Sequence, residues 1–242
     1  MGDNTRYDDA LWRDYARVYD EVLNIIPYRN LLLEIVDAGR VESNMRLLDV
    51  CCGTGNLLQA LAHRSITPEV VGIDYSKDML SRAELKVDKY NGRASFVRSN
   101  LDKPAKDWGV QGPFDRFVFN NCLSFINDPA AVLRKSSSLA GPGAVLVASM
   151  PKPNPNISEL LDEHLQLSEE LGQSREDALQ QLNPHLQRIM FCNERLLNQY
   201  GDAFHIPSEP QLRTWFKDSG WQIENISSTY AGQNWLVTAI TD

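Results

Sequence analysis

No stretch of this 242-residue chain is apolar for long enough to span a membrane. Runs of lysine or arginine are also missing. The formal net charge is −8, which argues against a protein that tracks a phosphate backbone. Cysteine is scarce: four residues in a chain of this length do not suggest a disulfide framework, and reduced cytosolic thiols are expected. The cysteines and the four histidines lack metal-ligand spacing, so no metal is expected. The N-terminal run MGDNTRYDDALWRD is polar and acidic, unlike a secretory signal, and Asp3-Asn4 after Gly2 does not suit myristoylation. The apolar fraction of 43% is ordinary for a globular protein, and the length suits one domain over 1–242, placed in the cytoplasm.

One run carries most of the information: Leu47-Leu48-Asp49-Val50-Cys51-Cys52-Gly53-Thr54-Gly55-Asn56-Leu57-Leu58. It reads as a buried strand, a glycine turn and the start of a helix. Such a turn brings backbone N–H groups close to a ligand at a helix N-terminus. A second strand, Val70-Val71-Gly72-Ile73, ends in Asp74, 25 positions after Asp49 (74 − 49). An acid in that place grips a nucleotide ribose. No Gly-Lys-Ser/Thr follows the turn, which excludes a P-loop. Dinucleotide folds want glycine or alanine where Leu58 stands, so NAD or FAD fits poorly. What remains is a nucleoside cofactor with a ribose and an adenine but no phosphate.

Strand and helix patterns alternate along the chain. Strands are expected at 46–50, 69–73, 94–98, 115–119, 143–149, 221–227 and 234–240. Helices are expected at 8–38, 56–63, 77–88, 129–138 and 210–218. Alternation implies a parallel sheet with right-handed crossovers. The last two strands are joined only by 228–233, which is too short for a crossover and predicts an antiparallel hairpin. The fold class is therefore α/β, a Rossmann-like seven-stranded sheet with an antiparallel last strand and helices on both faces. Residues 151–207 exceed what a crossover needs. They read as two helical stretches, the second interrupted at Asn183-Pro184. With residues 1–40 they are expected either to form a lid over the carboxyl ends of the strands or to be a plain helical layer.

LLDVCCGTGNLLQAL resembles the first motif of class I S-adenosylmethionine-dependent methyltransferases, and VVGIDYSKDML their second. Phe96-Val97-Arg98-Ser99-Asn100-Leu101-Asp102 resembles their third-strand end. FDRFVFNNCLSFINDPAAVLRKSSSLAGPGAVLVAS resembles the fourth and fifth strands with the helix between, and SEPQLRTWFKDSGWQIENIS the last helix and sixth strand. Five pieces in the right order cover most of 45–150 and 208–242, and the motifs are of the ubiquinone/menaquinone-methyltransferase kind. The Asn-Pro-Pro-aromatic signature is missing, since the fourth strand ends Phe119-Asn120-Asn121-Cys122. A small soluble acceptor is therefore expected, with oxygen, nitrogen and carbon nucleophiles all open.

The resemblance implies S-adenosyl-L-methionine as cofactor and direct displacement as mechanism, with S-adenosyl-L-homocysteine as product. Gly53 and Gly55 then approach the methionine part, Asp49 orients its amino group, and Asp74 holds the ribose hydroxyls. Cys51 stands in place of the family's first glycine and is assigned no catalysis. Asn100 replaces the usual aspartate at the adenine edge, beside the Leu101 N–H. Tyr75 and Met79 pack on the adenine faces, with a core role equally open to Met79. Asn120 or Asn121 meets the methionine amine or simply caps the strand end. Tyr15 and Tyr19 close over the methionine end or belong to the core. His164 and His205 are the candidate general bases, against a plain hydrogen-bonded core role. Tyr230, Gln233, Asn234 and Trp235 line a pocket or decorate the hairpin. Two other functions stay open on the residues alone: a nicotinamide-dependent oxidoreductase, and a non-catalytic binding protein that keeps the cofactor fold.

Overall fold

A computed structural model describes residues 9–241. The readings of residues 1–8, including the leader and acylation arguments, lie outside the described residues. The chain runs α1 (Asp9–Val18), α2 (Ile26–Ala38), β1 (Arg46–Val50), α3 (Leu57–His63), β2 (Glu69–Asp74), α4 (Lys77–Glu84) and α5 (Val87–Tyr90). It continues through β3 (Ala94–Arg98), β4 (Phe114–Asn120), α6 (Pro129–Ser137), β5 (Ala140–Pro151), α7 (Ile157–Glu170) and α8 (Arg175–Tyr200). It closes with α9 (Glu209–Phe216), β6 (Gln222–Thr229) and β7 (Asn234–Ile240). The seven strands form one sheet in the order β3-β2-β1-β4-β5-β7-β6. β7 alone runs antiparallel, pairing Leu146 of β5 with Ala239 and Ile226 of β6 with Val237. No described helix is long and apolar enough to cross a membrane.

The sheet's pleat divides the core between two faces. Leu48, Val50, Phe117, Phe119 and Leu146 pack with Leu133 of α6, Leu212 and Phe216 of α9, and Trp221. Leu47, Val145 and Val147 point the other way, against Leu31 and Ile35 of α2 and Leu61 of α3. A third cluster joins α1 to α8 through Leu11, Tyr15, Ala16, Cys192, Leu196 and Tyr200. Side chains of Ser76, Asp128, Asn156 and Ser174 cap α4, α6, α7 and α8 by accepting backbone N–H groups left orphaned at helix starts.

Three helical expectations change. The stretch expected as one helix over 8–38 breaks at Ile25, whose extended backbone sets up a fresh start with Pro27 in the first turn of α2. The 77–88 helix splits into α4 and α5 around Leu85 and Lys86. Conversely, α8 does not stop at Asn183-Pro184 but passes through it for 26 residues. Pro184 is exposed, so its ring meets no neighbouring layer, while Leu182 and Ile189 hold the helix down on either side.

An interior proline still forfeits a helical hydrogen bond and clashes with the preceding turn. Pro184→Ala is therefore expected to raise thermal stability by about 1–3 kcal/mol, or several degrees in Tm. Thermal unfolding followed by circular dichroism checks this; an unchanged or lower Tm contradicts it.

Candidate functional site

From β1 the sheet grows outward through β2 to β3, then the chain returns to lay β4 on the other side of β1. Ligands of open α/β sheets sit at such a reversal, outside the carboxyl ends of the strands. The glycine turn and the loop after β4 flank this crevice.

The turn after β1 is left-handed at Cys51 (φ 55°), Gly53 (54°) and Gly55 (72°). β2 holds it from the side. The Cys52 N–H donates to the Ile73 carbonyl at 3.0 Å, and the Gly53 N–H donates to Asp74 Oδ2 at 2.9 Å. Asp74 Oδ1 accepts from the Ser76 N–H at 2.8 Å. Helix capping at this point belongs to Ser76, which accepts from the Met79 N–H, and not to Asp74. The two glycines differ in role. A Cβ at Gly53 would stand 3.6 Å from the Tyr19 ring, an ordinary contact. A Cβ at Gly55 would stand 3.0 Å from the Ala83 Cβ, so this glycine admits α4 to the turn.

Asp49 lies beneath the turn, 5% exposed. Burial, and then the charge of Asp74, push its carboxyl up to about 8. Burial raises Asp74 as well, against the hydrogen bonds from Ser76 and Gly53. Among the described residues no cation lowers either group. The nearby cation is engaged elsewhere. Lys86 Nζ donates to Asp20 Oδ1 (2.8 Å), the Thr54 carbonyl (2.5 Å) and Asn56 Oδ1 (2.7 Å). Thr54 Oγ1 donates to the same Asp20 oxygen. This clasp fastens the segment after α1 onto the glycine turn. Sequence reasoning missed Asp20, Thr54 and Lys86, because a lysine inside an expected helix reads as a solvated surface residue.

Tyrosines roof the crevice. The Tyr19 and Tyr28 hydroxyls lie 3.4 Å apart, and Asn120 Nδ2 donates to Tyr28 Oη at 3.4 Å. Tyr15 meets Tyr19 edge-on at 5.2 Å, and Tyr230 meets Tyr28 edge-on at 6.1 Å. Burial raises all four phenols, so each stays protonated. The floor is neutral and polar: Ser149 Oγ donates to Asn120 Oδ1, and Asn234 Nδ2 donates to Asn121 Oδ1 and to Ser149 Oγ.

The remaining expected site residues separate. Tyr15 donates to Asn193 of α8 at 2.7 Å and belongs to the α1–α8 cluster, as does Met79, 2% exposed. For Met79 this is the core role. Tyr75 lies under the Arg98 guanidinium, 5.0 Å from the ring centre. Asn100 Oδ1 accepts the Asp102 N–H, and the Leu101 carbonyl accepts from Lys135 Nζ. His164 is buried, and its Nδ1 accepts the Ile26 N–H at 3.2 Å, with burial lowering its pKa. That nitrogen takes a proton only by breaking its bond to α2. His205 lies beside the β4 loop, where its backbone N–H donates to the Ser124 carbonyl, and its Nε2 is buried without a partner. Gln233 and Trp235 tie the hairpin to its surroundings, through the Asn156 N–H and the Pro207 carbonyl.

The thiol expectation is corrected at the crevice. Cys51 and Cys122 are joined by a disulfide, with Cα atoms 5.8 Å apart, while Cys52 and Cys192 are free and buried. Their separation of 71 residues hides the pairing from the sequence, since only the β1–β4 adjacency brings them together.

A glycine turn, a strand-end acid and a reversal of strand order between β1 and β4 define an open, doubly wound α/β protein. The chain belongs to the methyltransferase-domain family, whose model matches residues 19–226. It is 34% identical over 145 residues to a demethylmenaquinone methyltransferase of Lactiplantibacillus plantarum, covering 57% of this chain and 60% of that protein. It is 28% identical over 144 residues to a ubiquinone biosynthesis O-methyltransferase of Marinobacter nauticus, covering 60% and 58%. The chain thus spans less than two thirds of the length of these relatives. Among solved structures it resembles a SAM-dependent methyltransferase from Aquifex aeolicus, with TM-score 0.59, 17% identity, and 92% and 93% of the two chains covered. It also resembles magnesium protoporphyrin IX methyltransferase from Synechocystis PCC 6803 with bound SAH, with TM-score 0.56, 18% identity, and 90% and 86% covered.

The raised Asp49 has a consequence for stability. Its folded carboxyl, near 8, holds a proton that the unfolded chain releases from its ordinary 3.8 upward. Its contribution is whole below the unfolded value and drains away as pH climbs through the folded one. Asp49→Asn is expected to raise the Tm of the ligand-free protein at about pH 9 by several degrees, the gain shrinking toward about pH 4. Melting curves across that range check it, and a pH-independent difference contradicts it.

Proposed function

We propose that this protein transfers a methyl group from S-adenosylmethionine to a small-molecule nucleophile by direct displacement. The observation that carries the reading is the crevice's pair of uncompensated carboxyl groups. Asp49 is buried and Asp74 half-buried beside a turn of left-handed backbone, and among the described residues no side-chain cation compensates them. Buried carboxylates are normally paired. A ligand with an ammonium and a vicinal diol fits this set, and the cofactor has both. When bound it supplies an electrophilic methyl on a sulfonium.

The residues then divide the work. Asp74 keeps lone pairs for the ribose hydroxyls beyond those given to Gly53 and Ser76. Asp49, ionised by a neighbouring ammonium, orients the amino-acid end. Gly53 leaves room for the ligand under Tyr19, and Asn100 and Leu101 stand at the adenine edge. Asn120 and Tyr28 present neutral polar groups where the acceptor approaches. The tyrosine roof excludes water, and holding acceptor and methyl in line is the main catalytic contribution. Protonated phenols do not serve as bases. His205, with its unpartnered Nε2, is the candidate for any acceptor that must shed a proton. His164 is assigned to holding α2. Relatives named for menaquinone and ubiquinone steps support a small-molecule acceptor. The division of labour in this reading is a core at 45–150 and 208–242 with a lid from 151–207 and 1–40, of which 1–8 lie outside the described residues.

Calorimetric titration tests the reading. S-adenosylhomocysteine is expected to bind and NADH is not. Asp74→Ala is expected to weaken binding about 10- to 100-fold, the loss of charged hydrogen bonds to the ribose. Preference for NADH, or no binding of S-adenosylhomocysteine, overturns the proposal.

A further inference from the structure

The two bridged cysteines stand at the two walls of the crevice. Cys51 is the first residue after β1, and Cys122 follows two residues behind the end of β4. Each wall begins with a left-handed residue, Cys51 at φ 55° and Asn121 at φ 52°. β1 and β4 are the neighbouring strands between which the sheet reverses. The bridge therefore spans the ligand-binding reversal itself. It keeps the two loops at 5.8 Å between Cα atoms, little more than the strand spacing of about 4.8 Å. A ligand group seated between two walls needs carbon contacts of about 3.5–4 Å on each side, roughly 7 Å or more in all. Access is graded as well: Cys51 is half-buried, whereas Cys122 is 2% exposed.

We propose that Cys51 and Cys122 form a reversible thiol–disulfide site that closes the cofactor crevice when oxidised and opens it when reduced. The closing part rests on the cofactor reading above. The oxidant is a low-molecular-weight disulfide. The Cys51 thiolate attacks one of its sulfurs, forming a mixed disulfide and expelling one small thiolate. The Cys122 thiolate then attacks Cys51 Sγ, forming the bridge and expelling the second. Two protein thiols are oxidised, one small disulfide is reduced to two thiols, and the two thiol protons pass to the leaving thiolates. Cys51, the accessible partner, meets the small disulfide, and buried Cys122 resolves it.

The test compares the full-length protein after dithiothreitol and after glutathione disulfide. Alkylation in denaturant, read by mass spectrometry, is expected to count four free cysteines in the reduced form and two in the oxidised form (4 − 2), the lost pair being Cys51 and Cys122. Calorimetry with S-adenosylhomocysteine is expected to give a Kd about tenfold or more weaker for the oxidised form, recovered on reduction. Before oxidation, Cys122→Ala and Cys122→Ser are expected to bind as the reduced protein does; with glutathione disulfide they are expected to stop at the mixed disulfide on Cys51, seen by mass spectrometry as one added glutathione that dithiothreitol removes. Should both variants misfold, the two redox forms of the unaltered chain decide the matter. Failure of the pair to form overturns the site. Equal Kd in both forms overturns the gate and leaves the cofactor reading standing. No binding in either form overturns both.

Discussion

The turn from Cys51 to Gly55 is the constraint on which the site depends. Left-handed backbone at three of five residues aims N–H groups in directions that ordinary helix or strand does not, Cys52 to the Ile73 carbonyl, Gly53 to Asp74 and Gly55 to the Cys52 carbonyl. Such a turn needs support, and each neighbour gives some. β2 gives the Ile73 carbonyl and the Asp74 carboxylate, α4 gives Ala83 against Gly55, and Lys86 takes the Thr54 carbonyl. Asp74 is thus structural in its own right: its carboxylate sets where the turn lies, and only under the proposed reading do the same oxygens also meet a ribose.

The proposed cationic ligand answers the electrostatics of the crevice. Burial raises both Asp49 and Asp74, and the charge of Asp74 raises Asp49 further, so that Asp49 holds its proton near neutral pH. Lys86, the lysine at the turn, spends its three donors on Asp20, Thr54 and Asn56. Under the proposed reading a bound ammonium displaces the Asp49 proton and pairs with its carboxylate. Affinity and stability then separate at Asp49, since the carboxylate that would orient the ligand costs the fold when it ionises alone.

The sheet was legible because its information is local and periodic. β1, β3 and β7 follow apolar runs of strand length, and the short 228–233 connection forced the final hairpin. The glycine turn and Asp74 were legible for the same reason, as motif residues at fixed offsets. Helix ends were harder. Pro184 breaks a helix by propensity, yet Leu182 and Ile189 bury on one face and tertiary packing overrides it. The clasp was invisible because Asp20, Thr54 and Lys86 meet only through the fold. Cys51–Cys122 was hidden similarly, and compositional reasoning about cysteine pointed the other way. His164 shows the converse: a histidine on an apolar helix face, singled out for chemistry, is an acceptor for the start of α2.

The N-terminal segment links these features into one mechanical unit. Asp20 fastens it to the glycine turn, while its neighbour Glu21 pairs with His185 and Arg188 of α8. Asp14 pairs with Arg195, and Tyr15 bonds to Asn193, along the same helix. Surface ion pairs of this kind contribute little each. The buried ring contacts and the Lys86 clasp therefore carry the attachment, and the ion pairs set register. Movement of α8 must then be felt at Tyr19 over Gly53, and displacement of Tyr19 by a ligand must be felt at α8. The tyrosine roof is thus tied at one end to the glycine turn and at the other to α8, and neither end can shift without disturbing the other.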